Sequence, residues 1–138
     1  MKYARYHFGA NLVLEIISGK WKPSIICSLD ARPKRYNELK AYLQRVNGQP
    51  IAQKVLTEQL RQLENDLIVK RTDYHTVPPK VVYSLTEDGQ RIHDFLIEMS
   101  RVGENLARHL ASADQPIAFD YPYQQMIHHQ KGEPHAKQ

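Results

Sequence analysis

Apolar residues return at intervals of three and four along most of the chain, and at intervals of two in one central stretch. The first pattern predicts helices and the second a pair of strands. In "ANLVLEIISGKW", Leu12, Val13, Ile16 and Ile17 keep helical spacing, and Gly19 suits a stop. Pro23 can open a second helix, "PSIICSLD", because a first-turn proline removes no needed hydrogen bond. Trp21, Ile25, Ile26 and Leu29 form its expected buried side, and Arg32-Pro33 ends it. "RYNELKAYL" follows as a third helix, with Asn37 as the expected N-cap and Leu39, Tyr42 and Leu43 on one face. After the turn signal "NGQP", the segment "IAQKVLTEQLRQLENDL" carries the strongest helical pattern. Leu56, Leu60, Leu63 and Leu67 make one apolar stripe there. Lys54, Glu58 and Arg61 fall opposite it, with Gln53 and Thr57 on a flank. Two helices joined by a short turn, the second with a polar face, is the layout of a helix-turn-helix.

"LIVKRTDYHT" and "KVVYSLT" then alternate like strands, with Pro78 and Pro79 between them. Proline cannot donate to a ladder, so the pair belongs in a stiff, exposed connection rather than inside a strand. Thr86 can cap a long last helix, in which Ile92, Leu96, Met99, Val102, Leu106 and Leu110 recur, with Phe95 beside them. A stripe that long implies either a subunit partner or packing against the first helix. The expected fold is mainly α with a small β-hairpin, a winged helix-turn-helix with terminal dimerisation helices. It is expected to span residues 1–113, and 114–138 to form a tail that is irregular or disordered beyond Tyr123.

The 138 residues suffice for one domain with a real core. No apolar run approaches the ~18 residues of a membrane span. The N-terminus, "MKYARYHFGAN", lacks the apolar region of a secretory signal, so a cytoplasmic location is expected. The formal charge is +4. Between Arg32 and Lys80, ten Lys and Arg stand against five Asp and Glu, so the central third carries the whole excess. Concentrated positive charge fits either nucleic acid or a solvated basic face.

Little else in the chain carries chemistry. The single cysteine, Cys27, excludes an internal disulfide and a multi-cysteine zinc site. Its place in "SIICSL" suits an inert core thiol better than a sensor. His128, His129 and His135 lack metal-ligand spacing. No P-loop, GxSxG elbow or catalytic pair is present, so an enzyme is the least favoured class, and neither cofactor nor metal is expected. For Gln53, Lys54, Thr57, Glu58 and Arg61 the alternatives are a solvated helix face or DNA contact. Arg61 and Lys54 could reach guanine or phosphate, and Gln53 adenine. Glu58 could accept from cytosine or exclude phosphate. Lys80, with His75 and Thr76, could meet phosphate from the projecting turn. Arg32, Lys34 and Arg35 could touch the backbone, although Arg35 could equally hold a nearby carboxylate.

The blocks "ISGKW", "RYNELK", "KVLTEQLRQLE" and "YHTVPPKVVYSLTEDG" stand in the order of the signature blocks of the HxlR-type transcriptional regulators, and the chain resembles that family from about Asn11 to Leu110. This is a bacterial branch of the MarR-like winged-helix proteins. The resemblance implies a homodimeric, cytoplasmic, sequence-specific double-stranded DNA-binding regulator without enzymatic activity, and the expected role is that of a repressor on a palindromic operator. A small-molecule inducer of unknown identity is a possible partner. The rival is a winged-helix protein-docking module that reads no sequence. The helix near Ile51 would be the recognition helix, and residues Val69 to Leu85 the wing. The first and last helices would form the dimer interface, through Leu12, Ile16, Phe95, Met99, Val102, Leu106 and Leu110. Three positions depart from the family pattern. Ala52 stands where a serine usually enters the recognition helix, after a longer turn. Leu67 replaces a glycine, and no cysteine lies near Phe8, where many members place a redox sensor.

Overall fold

The computed structural model describes residues 4–130. Two short helices, α1 (Gly9–Ile17) and α2 (Lys22–Ala31), precede a two-residue strand β1 (Lys34–Arg35). Helices α3 (Tyr36–Asn47) and α4 (Gln53–Asn65) form the helix-turn-helix. Strands β2 (Val69–Asp73) and β3 (Val81–Leu85) form the wing, and α5 (Glu87–Leu110) and α6 (Tyr123–Gln130) complete the chain.

The leucine stripe accounts for the centre of this arrangement. Leu56, Leu60 and Leu63 of α4 are buried against Ile25 and Ile26 of α2 and Leu39 and Leu43 of α3. Each fully buried aliphatic side chain contributes ~1.5–3 kcal/mol of apolar transfer. Gly48, with φ 67°, ends α3 in the left-handed conformation that glycine adopts without penalty. Thr86 caps α5 as expected, its Oγ1 accepting from the Gly89 amide at 2.9 Å. Acidic Glu87 and Asp88 in the first turn and basic Arg108 and His109 in the last suit the dipole of this long helix.

The structure corrects several expectations. The wing is not a lone hairpin: β1 joins it, in the antiparallel order β1-β3-β2, with Lys34 opposite Tyr83 and Arg71 also opposite Tyr83. Helix α3 begins at Tyr36, before the expected cap Asn37. Glu38 causes the earlier start, since its Oε1 accepts from the Arg35 amide at 3.0 Å while Arg32 donates to its Oε2 at 2.9 Å. These bonds hold the Glu38 carboxyl below the usual range. Leu67 does not extend the apolar stripe. It is 68% exposed and sits at φ 64°, closing the turn that follows α4.

The tail is also more ordered than its sequence suggested. Beyond Tyr123 the chain forms α6 rather than an irregular segment, and Met126 enters the core. The Tyr123 amide donates to Glu104 Oε2 at 2.6 Å, fixing this return against α5. An eight-residue helix has too little intrinsic stability to declare itself in sequence, so tertiary packing decides it. Side chains of His128 and His129, and all of His135, lie outside the described residues. Among the described residues no helix is long and apolar enough to cross a membrane, and no cluster of His, Cys, Asp and Glu could hold a metal ion.

One buried group escaped the sequence reading. His93 of α5 is fully buried, with Nδ1 3.5 Å from Asp30 Oδ1 on α2 and 3.6 Å from Asp94 Oδ1. Gln90 Nε2 donates to Asp30 Oδ1 at 2.6 Å in the same junction.

Candidate DNA interface

Helix α4 places Gln53, Lys54, Thr57, Glu58 and Arg61 along one open concavity. Their spacing of one, three and four residues follows from the helical repeat, and the buried leucines opposite turn this face to solvent. Among the described residues neither Lys54 nor Arg61 forms an ion pair, so both cations are available to an anionic partner. The start of the helix is uncapped by its own side chain, since Ala52 occupies the cap position. Ahead of the helix, the Ile51 amide donates to Gln44 Oε1 of α3 at 3.1 Å and holds the turn that leads into α4.

The wing projects beside this face. Val77 at its tip is 98% exposed. Lys80 is exposed as well, its ammonium 4.7 Å from the Tyr74 ring, which limits its sweep without neutralising it. His75, at φ 53°, is held by its amide bond to Asp73 Oδ1 at 2.8 Å. Thr76 turns its hydroxyl inward to Pro78 O at 2.9 Å. Arg35 bridges the two units: its Nη2 donates to Pro79 O at 3.1 Å, tying the start of α3 to the wing. Its partner is thus a wing carbonyl rather than a carboxylate.

Lys34 is a correction. It was expected at the DNA backbone, yet it is buried, donating to Ser28 O at 2.6 Å with its ammonium 4.5 Å from the Tyr42 ring. Burial, and then the nearby Arg32 guanidinium, lower it to about 8. Between that value and its ordinary 10.5 the unfolded chain binds more protons than the folded one. The Lys34 contribution to stability therefore rises with pH across this window. Urea unfolding from neutral to alkaline pH should show wild type gaining on Lys34→Met as pH rises. A pH-independent difference would place the ammonium in solvent.

Two cations passed over in the sequence, Lys70 and Arg71 on strand β2 of the wing, are exposed and join the candidates. Their signal was present, as adjacent basic residues in a strand, but the turn prolines drew attention to Lys80 alone.

Cys27 lies away from this face. It lines a cavity of about 160 Å³ with Tyr42 of α3, Ser100 of α5, and Tyr121 and Met126 of the returning tail. Burial, followed by the Asp30 carboxylate, pushes its thiol up to about 12. A thiol so rarely ionised is a poor nucleophile at neutral pH. Iodoacetamide should label it far more slowly in the folded protein than in urea, and equal rates would contradict this environment.

The apolar residues expected at a dimer interface divide by exposure. Leu12, Phe95, Met99, Val102, Leu106 and Leu110 are exposed, whereas Ile16 is half-buried against the core. Ile92 also packs on the core and Leu96 is buried, so the long helix has one face inward and a separate apolar stripe outward.

The HxlR-like helix-turn-helix family profile matches residues 16–110. The chain is 40% identical over 105 residues to the HTH-type transcriptional regulator YtcD of Bacillus subtilis (strain 168), covering 76% of this chain and 79% of that one. It superimposes on the crystal structure of a MarR-family transcriptional regulator from Enterococcus faecalis V583 with a TM-score of 0.65 at 38% identity, covering 72% and 86% of the two chains. The redox regulator HypR in its oxidised form gives a TM-score of 0.59 at 41% identity, covering 71% and 96%. With the helix-turn-helix, the wing and the exposed polar face of α4 in place, the chain belongs to the HxlR-like helix-turn-helix family of transcriptional regulators, with a MarR-like winged-helix fold.

Proposed function

We propose that the protein is a homodimeric repressor that binds a palindromic operator in the cytoplasm, with α4 of each copy in successive major grooves. The observation that carries this reading is the assembly of Gln53, Lys54, Thr57, Glu58 and Arg61 on one solvent-facing concavity, with both cations unpaired among the described residues. The exposed stripe from Phe95 to Leu110, with Leu12, supports pairing of two copies. DNA reading and pairing are the two surfaces this proposal uses, so operator occupancy, and hence repression, is the simplest output. The thiol environment of Cys27 argues against that residue as a redox switch. An inducer, where one acts, would have to be small to enter the cavity of about 160 Å³ beside it.

Wing and helix divide the labour. Lys80 meets phosphate, so Lys80→Ala should weaken every sequence alike and lower the salt slope by about one. Arg61 meets a base edge, so Arg61→Ala should cost ~1–3 kcal/mol on the preferred site and relax one position per half-site. Titrations against operator and scrambled DNA at several salt concentrations test both. The opposite pattern would reverse the assignment. If neither substitution altered binding, the face would be better read as a protein-docking surface.

A further inference from the structure

Tyr36, the first residue of α3, reaches across to the start of α4. Its hydroxyl lies 3.1 Å from Gln53 O and 3.3 Å from Thr57 Oγ1. Three groups share two protons, and their chemistry fixes the direction of both bonds. The Gln53 carbonyl can only accept, so the single Tyr36 proton goes to it. The Tyr36 oxygen must then be the acceptor in its second contact, and Thr57 must donate there. Thr57 thereby uses its one hydroxyl proton on the protein. Toward the concavity it retains an oxygen lone pair and its methyl group.

A threonine on a recognition helix is ordinarily ambivalent, because its hydroxyl can donate or accept. We infer that the Tyr36 hydroxyl removes this ambivalence, making Thr57 an acceptor-only reader that favours an exocyclic amino group or a thymine methyl over guanine. The inference rests on the DNA-reading assignment of α4. In the major groove adenine offers N6 and cytosine N4 as donors, and thymine offers its methyl. Guanine presents N7 and O6, both acceptors, and these face the Thr57 lone pair without a proton between them. Tyr36 is thus a positioning residue. It touches no base, and it acts by setting the hydrogen-bond polarity of one that does.

The test is a binding selection from randomised half-sites with wild type, Tyr36→Phe, Thr57→Val and the double variant, accompanied by thermal melting. Thr57→Val identifies the position that Thr57 reads. At that position the wild type should disfavour guanine by roughly two- to tenfold, the range of one net hydrogen bond. Tyr36→Phe should abolish this discrimination by returning the proton to Thr57. Preferences elsewhere, the salt slope and the melting temperature should stay close to wild type. In the Thr57→Val background Tyr36→Phe should add nothing at this position. Guanine as the preferred wild-type base there would overturn the inference. So would a Tyr36→Phe protein whose preferences fade at every position, since that is the mark of a helix merely held in place. A wild type with no sequence preference at all would overturn the DNA-reading assignment first, and the inference with it.

Discussion

Gly89→Ala is expected to destabilise the protein by roughly 2–4 kcal/mol, a large effect for one methyl group. A Cβ built at this position would lie 2.1 Å from Ile68 O and 3.3 Å from Thr86 Oγ1. The nearer atom belongs to the backbone, so no side-chain rotation relieves the overlap. The same carbonyl accepts from the Thr86 amide at 3.0 Å, and Thr86 Oγ1 donates to Leu67 O at 2.6 Å. Separating α5 from the Ile68 backbone would therefore strain the cap of the long helix and the Leu67 turn together. Alanine is the better helix former by ~1 kcal/mol, which offsets only part of this cost. Gly9 supplies the control, because a Cβ there meets nothing within 4 Å. Urea denaturation should show a much lower midpoint for Gly89→Ala and little change for Gly9→Ala. Equal midpoints for the two variants would mean that α5 can move away from the Ile68 backbone freely.

The second large effect is expected at the other end of α5. Val102 and Leu106 are each 52% exposed, in the middle of the outward stripe. Glutamate at either position should change the stability of an isolated subunit by no more than ~0.5 kcal/mol, as at ordinary surface sites. Facing a second copy, the same carboxylates would lie opposite one another in an apolar interface. Val102→Glu combined with Leu106→Glu should halve the mass seen by sedimentation at micromolar concentration. Operator affinity should then fall by about 10²–10⁴, the gain that linking two half-site contacts provides. A double variant that remains dimeric, or a monomeric wild type that already binds tightly, would remove α5 from the interface.

The sequence conveyed what depends on repetition and missed what depends on a single close neighbour. The spacing of Leu56, Leu60 and Leu63 announced both α4 and the core beneath it. Thr86 announced the start of α5, and the paired prolines the projecting wing. Strand β1 is two residues long and has no period to detect. Lys34 beside Pro33 resembles a surface cation until the Tyr42 ring and Ser28 carbonyl are seen around it. His93 sits among the polar residues that open a helix, and only the packing of α5 on α2 shows it buried. Within the candidate site, the α4 face was legible as a set of residues. The two hydrogen bonds at the Tyr36 hydroxyl were not, because they join positions 17 and 21 residues apart.

Helix α5 has a mechanical consequence. Its 24 residues make a rod about 36 Å long at ~1.5 Å per residue. Gly89, His93 and Leu96 embed the first part of that rod in the subunit that carries α4, while the outward stripe continues to Leu110. With the stripe as the pairing element, the rod is a lever between two half-sites set ~34 Å apart. A tilt of about 5° moves the end of such a rod by roughly 3 Å, close to the rise of one base pair. Small rotations where the subunits meet would thus change the operator spacing that the protein accepts, with no side chain on α4 altering its own conformation.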